Sequence, residues 1–446
     1  MARMNLLNLS GLPWLKAKQT HEGAPAKHIS AEQELRRSVL ACTLWESQFN
    51  EDGVAIAGRI RELVPKVAAE KVAALAVEAR DRMKLRHAPL LLVREMARLA
   101  THRHLVAETL LRVVERADEL SEFVALYWSD GKQPLSAQVK KGLAAAFTKF
   151  DEYALAKYDR ASPVKLRDVL FLCHAKPMDA AQAELWKRLV AGELATPDTW
   201  EVGLSSGADK REAWERLLAE NKLGALALLR NLRNMAEAKV DEQLVRTGLG
   251  RMKTERVLPF RFIAAARYAQ QWEPELEKAM LRALESKTSD GQPKLQGKTV
   301  LLVDVSGSMD APLSRRAEMR RNDAAYGLAV LLREIAEQVS IYTFSDKLVR
   351  VPPRQGFALR DAMNASQPHG GTYLGRALGE IDEKYDRLTV ITDEQSHDAV
   401  PNPKARGYVI NVASYQNGVG YGKWVHIDGW SDSVIEYIRV AEPALE

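Results

Sequence analysis

The segment Asp304-Val305-Ser306-Gly307-Ser308 carries oxygen side chains at alternate positions, directly after the apolar run KTVLLVD of residues 298–304. Gly307 permits the tight turn through which those oxygens would converge. Two further pieces lie in comparable surroundings: Gly370-Gly371-Thr372 just ahead of a helical pattern, and Asp393 at the end of the apolar run RLTVITD. Two carboxylates and three hydroxyls form a hard oxygen donor set, suited to Mg²⁺. Magnesium keeps part of its water, which leaves a position for a partner's carboxylate or phosphate. The plainer alternatives are a polar loop that caps neighbouring helices, or an ion that serves as structural support alone.

For these residues to meet, the chain must bring three loops to one place. Continuous apolar runs at 298–304, 339–344, 387–393, 407–412 and 424–428 predict buried strands, with helical patterns at about 317–338, 373–384 and 431–439 between or after them. Strands alternating with helices predict a doubly wound parallel α/β domain, whose loops at the carboxyl ends of the strands share one crevice. Enzymatic readings fit less well. A phosphoaspartate hydrolase would need a second Asp where Ser306 stands, and the chain has neither a GxSxG elbow around Ser306 or Ser308 nor a GxxxxGK[ST] loop. His369 and His397 lie near the crevice in sequence, but a Ser/His/Asp triad assembled from such common residues carries little weight.

A different grammar governs residues 30–285. Apolar residues recur three and four apart through many segments of medium length, separated by turns such as SDGKQP, RASP and HAKP. That pattern predicts antiparallel helix pairs stacked as an α-solenoid, with a globular bundle as the alternative. The densest basic stretch, 132–176, holds nine Lys and Arg against four Asp and Glu. Its cations are Lys132, Lys140, Lys141, Lys149, Lys157, Arg160, Lys165, Arg167 and Lys176, with Phe147, Phe150, Tyr153 and Tyr158 interleaved. Cations neutralise phosphates and rings stack on unpaired bases, so the mixture suits single-stranded RNA. Spacing of four puts Lys149, Tyr153 and Lys157 on one expected helix face. On residue chemistry alone the ordinary reading, core rings beneath a solvated lysine face, outweighs this one. His102, His104, the Arg230–Asn234 segment and the tryptophans Trp45, Trp186, Trp200 and Trp214 are read with the same discount, and His174 as a helix cap or a ligand contact.

Composition agrees with two soluble parts. The 446 residues are 46% hydrophobic and 28% charged, too apolar for a disordered chain. No apolar run reaches the roughly 18 residues of a membrane span, the N-terminus lacks a secretion-signal pattern, and two cysteines, Cys42 and Cys173, build no disulfide framework. The expected location is the reducing cytoplasm, away from membranes. Residues 297–446 carry 17 Lys+Arg and 20 Asp+Glu, a net of −3, which leaves 47 and 39, a net of +8, on residues 1–296. The expected division is a helical domain at 1–285, a polar linker at 286–297 (SKTSDGQPKLQG) and an α/β domain at 298–446.

The oxygen-bearing segments resemble the metal-ion-dependent adhesion site of von Willebrand factor A domains. On that resemblance Asp304, Ser306, Ser308, Thr372 and Asp393 hold a divalent ion, Mg²⁺ foremost. The motifs RRSVLACTLWESQFNEDG (36–53), VKLRDVLFLCHAKP (164–177), WEVGLSSGADKREAWERLL (200–218) and LGALALLRNLRNM (223–235) resemble the TROVE module. TROVE followed by an A domain is the layout of the Ro ribonucleoprotein family, and the opening stretch GAPAKHISAEQELRRS resembles its bacterial or phage branch more than the vertebrate one. The resemblance implies HEAT-like helical repeats bent into a ring, and non-catalytic binding of single-stranded 3′ ends of misfolded noncoding RNAs in a basic cavity, for RNA quality control or degradation. It further implies Y-like RNA on the outer surface, a 3′ exoribonuclease as a further partner, and a monomeric protein. The RNA contacts it implies fall on Lys157, Tyr158, His174 and Lys176, with Arg160, Lys165 and Arg167 between them; Lys140 and Lys149 complete the candidate set. The rival reading is a protein-interaction module that works through the metal of the A domain, and a nuclease is a third.

Overall fold

The structure, a computed structural model, describes residues 30–40, 53–81, 85–159, 162–195, 209–255, 257–288, 294–313, 319–413, 418–419, 422–429 and 438. They divide into two compact units, one running from residue 31 to 253 and the other from 254 onward.

In the first unit thirteen helices are described. They are α1 (Ala31–Leu40), α2 (Gly53–Leu63), α3 (Ala69–Asp81), α4 (His87–Arg98), α5 (Val106–Val113), α6 (Ala117–Tyr127) and α7 (Ala137–Phe147). After these come α8 (Glu152–Tyr158), α9 (Leu166–Cys173), α10 (Ala180–Ala191), α11 (Lys210–Ala219), α12 (Ala225–Glu237) and α13 (Glu242–Arg251). Side-chain oxygens start several of them: Asp151 accepts from the Ala154 N–H at 2.8 Å and Asp179 from the Gln182 N–H at 2.8 Å. The packing runs in two rows. Helices α3, α5, α7 and α9 each touch the next in one row, and α2, α4, α6 and α8 do so in the other. That is the staggered contact pattern of a solenoid of helix pairs, as the periodicity predicts. One continuous core from Leu35 to Leu189 joins the rows. Within it sits an ion pair: the Glu119 carboxylate, fully buried, accepts from Arg80 Nη2 at 2.8 and 3.0 Å.

From residue 254 on, α14 (Pro259–Ala266) and α15 (Glu273–Thr288) precede the sheet. By packing they belong with the α/β part, so the division falls at 254, whereas the change of sequence pattern comes near 286. The reason lies in contacts that composition does not show. An added Cβ at Gly327 would lie 2.7 Å from the Phe260 backbone N, so the glycine lets α14 press directly on the following long helix. Arg360 pairs with Glu273 at 2.6 Å, and the Phe357 N–H donates to Glu277 at 2.8 Å.

The sheet comprises β1 (Leu295–Asp304), β2 (Ala336–Phe344), β3 (Leu348–Val351), β4 (Arg387–Thr392), β5 (Arg406–Asn411) and β6 (Val425–Asp428), in the order β3-β2-β1-β4-β5-β6. All neighbours are parallel except β2 and β3. Helices α16 (Arg321–Ile335), α17 (Gly356–Asn364) and α18 (Leu374–Glu380) connect the strands. Sequence pattern misses β3 and α17, and β2 begins three residues earlier than its apolar run. The closing helix expected near 431–439 lies outside the described residues, apart from residue 438. Because β1 is flanked by β2 on one side and β4 on the other, the chain reverses its winding there, and the crevice opens at the carboxyl ends of β1 and β4. Among the described residues no helix is long and apolar enough to cross a membrane.

Candidate metal centre and nucleic-acid surface

The end of β1 delivers Asp304 into the crevice, and the end of β4 delivers Asp393 beside it; both are fully buried. Asp304 accepts from the Ser306 N–H at 2.8 Å and from the Thr392 hydroxyl at 2.6 Å. The Ser306 and Ser308 hydroxyl oxygens stand 3.3 Å apart, so the turn at Gly307 does converge them. Its N–H donates to the Gly370 carbonyl at 3.0 Å, which ties the first loop to the Gly-Gly-Thr loop. Thr372 is buried there, held through its N–H to His397 Nδ1 at 3.1 Å. The three loops that were expected to meet are therefore together.

Two acids this close and this dry disfavour each other's charge. Burial first, and then the Asp393 carboxylate, push the Asp304 pKa up to about 7. A divalent cation would remove that penalty. Among the described residues no three His, Cys, Asp or Glu side chains gather as a metal site, so an ion here would rest on the hydroxyls and the two carboxylates. That donor set fits magnesium.

Three contributors escape the sequence reading. Asp346 follows β2 and accepts from the Gly371 N–H at 3.0 Å, while a side chain at Gly370 would strike the same carboxylate, which explains the paired glycines. Asp310 accepts from Asn322 at 2.7 Å and lies 2.8 Å from His369 Nδ1, so His369 braces the serine loop. Arg321 opens α16 and donates from Nη1 to Asp393 Oδ2 at 3.0 Å and to the Ser308 carbonyl at 3.3 Å.

In the helical unit the basic candidates fall into separate settings. Lys149 is withdrawn as an RNA contact: its ammonium donates to the Leu111 and Val114 carbonyls at 2.9 and 2.6 Å, closing the C-terminal end of α5. Nor does it share a helix face with Tyr153 and Lys157, because the Asp151 cap starts α8 beyond it. Phe147 and Phe150 are core. His102 is buried as well, with Nε2 3.0 Å from the Val67 carbonyl. Trp186 and Trp214 are core too, whereas Arg160, Trp45 and Trp200 lie outside the described residues.

Other candidates do assemble. The Lys157 ammonium lies 5.9 Å from the Tyr153 ring centre and 5.7 Å from that of Tyr158, and the Arg116 guanidinium covers Tyr158 at 4.7 Å. Tyr153 is 53% exposed. Lys165 and Arg167 are exposed and flank Asp159, whose pKa burial raises and the two cations oppose. Helix α9 buries Leu166, Val169, Leu170 and Cys173, which turns Arg167 and Phe171, four residues apart, to solvent. Phe171 is 61% exposed. His174 ends the helix in the left-handed region at φ 54°, exposed and three residues further along the same face. Lys176 and the 70% exposed Met178 follow. Lys140, half-buried on α7, is near enough to oppose the rise that burial gives the Cys173 thiol. Phe171 was missed because the run VLFLC of residues 169–173 looks uniformly apolar; its departure from the 166, 169, 170, 173 stripe was the available signal.

Residues 177–319 match the TROVE domain. That match covers about a third of the chain. Over 89 residues the chain is 35% identical to telomerase protein component 1 of Mus musculus, a stretch that makes up 18% of the chain and 3% of that protein. The chain thus spans a small fraction of that relative's length. In fold it is similar to the crystal structure of the Deinococcus radiodurans RO (RSR) protein, with a TM-score of 0.61 at 20% identity, over 91% of this chain and 98% of that one. A helical region followed by a largely parallel sheet with flanking helices is the architecture the sequence predicts, the short edge strand β3 excepted.

Proposed function

We propose that the protein binds single-stranded ends of noncoding RNA along the helical unit, without catalysis, as part of cytoplasmic RNA quality control. The observation that carries this reading is the solvent face of α9, where Phe171 stands between Arg167 and His174. A base stacked on that exposed ring, with phosphates on the neighbouring cations, is a matching occupant. Lys157, Tyr158, Lys165 and Lys176 extend the contact, and a Y-like RNA would use a separate outer surface. A 3′ exoribonuclease is the partner such a role calls for, and a monomer suffices for it. Binding of a 3′-overhang RNA, followed by fluorescence anisotropy, should weaken linearly on a log–log salt plot, with a slope of about −0.7 per phosphate neutralised. Equal affinity at low and high salt would exclude the proposal.

A second reading concerns the α/β unit and is supported by the converged hydroxyls beside two buried carboxylates. Here Asp304, Ser306, Ser308, Thr372 and Asp393 hold Mg²⁺, and the ion grips a partner protein's acidic side chain. The double substitution Ser306→Ala with Ser308→Ala should abolish metal-dependent partner capture and leave RNA affinity within twofold (an estimate of about 0.4 kcal/mol). Loss of both would tie the ion to RNA binding instead.

A further inference from the structure

We infer that Arg321 is a resident counter-cation of the oxygen site, holding Asp393 in place when no divalent ion is bound and thereby lowering the site's affinity for one. The inference rests on the metal reading given above and deepens it. Arg321 is 2% exposed and Asp393 fully buried, so the pair is out of reach of solvent screening. One Nη1 group spans the Asp393 carboxylate at 3.0 Å and the Ser308 carbonyl at 3.3 Å, on the very loop that carries two of the hydroxyls.

The position of that guanidinium is fixed from behind. Arg321 is the first residue of α16, whose start is locked where Asp323 accepts from the Arg320 N–H at 2.8 Å. Asp323 in turn pairs with Arg267 of the preceding helices at 2.7 Å. The charge arithmetic then has two states. Without an ion and with both acids charged, two carboxylates face one arginine, a net of −1, and the loops stay together. With a divalent ion the cluster becomes +1, and the ion sits near a fixed positive charge that repels it. A buried cation beside a ligand carboxylate therefore trades affinity for a site that holds its shape when empty.

The test uses the full chain and Mg²⁺ or Mn²⁺ alone as probe, with isothermal titration for affinity and thermal unfolding with and without the ion. Arg321→Met should bind the ion on the order of tenfold tighter or more than the unsubstituted protein. In chelator it should also melt lower, and saturating Mg²⁺ should close that gap. Arg321→Lys, which keeps a charge, should bind much as the parent does. A folded Arg321→Met protein with unchanged or weaker affinity would overturn the inference. Should Arg321→Met fail to fold, Arg321→Gln is read the same way, and failure of both in saturating Mg²⁺ also overturns it, because the ion ought to replace the missing charge. Absence of ion binding in both the parent and Arg321→Met would remove the metal reading itself, a result distinct from equal binding by the two.

Discussion

Phe171→Ala lowers the affinity for a short single-stranded RNA by roughly 5- to 150-fold, the equivalent of about 1–3 kcal/mol for one lost base stack. The ring is more than half exposed, so its removal leaves no cavity in the α9 core and should not move the melting temperature. Phe171→Trp should keep or improve binding, since a larger face stacks at least as well. Arg167→Ala, one turn earlier, acts differently: it removes a charge, so it should reduce the salt slope by about 0.7 for single-stranded RNA and weaken most sequences alike. The two substitutions together distinguish a stacking platform from a diffuse basic surface. An unaltered Kd for Phe171→Ala, beside a normal salt slope, would move the strand to another part of the helical unit.

Glu119→Ala is expected to cost the helical unit about 3–5 kcal/mol, the range for breaking a buried ion pair from one side. The carboxylate accepts from Arg80 and also from the Glu115 and Arg116 N–H groups at 2.9 and 3.1 Å, so its loss takes away the buried partner of Arg80, leaving it the half-exposed Glu115 at 3.3 Å, and uncaps α6 as well. For a unit of some two hundred residues this is a drop of about 6–20 °C, readable by calorimetry or circular dichroism. Replacing both partners, with Arg80→Met and Glu119→Leu, should recover part of the loss, because no charge is then left buried alone. If Glu119→Ala melted with the parent, the pair would have to be solvated in solution.

What could be read in advance follows from which interactions are local. The run KTVLLVD ends in an acid because a strand buried on both faces must spill its polar residue into a loop, so β1 and Asp304 were legible together. The oxygen spacing in DVSGS was equally local. By contrast β3 has only four residues, LVRV, at the edge of the sheet, and an antiparallel edge needs no continuous apolar run. Lys149 shows the opposite failure. Its spacing from Tyr153 was correct for one helix, but a cap at Asp151 intervened and the ammonium found carbonyls some 35 residues away in sequence. Arg321 gave no sign of its role, since it ends a run in which Arg315, Arg316 and Arg320 are also basic. Its partner, Asp393, lies 72 positions on, and pairing at that range is set by the sheet order alone.

The two stacked rows of the helical unit have a mechanical corollary. When each helix leans chiefly on its neighbours in the same row, stability is a chain of nearest-neighbour couplings with no central keystone. A lesion in the middle, such as one at Glu119, is then felt first by its row neighbours, while the outermost helices are the first to fray. Cooperativity, in such a protein, is a matter of length.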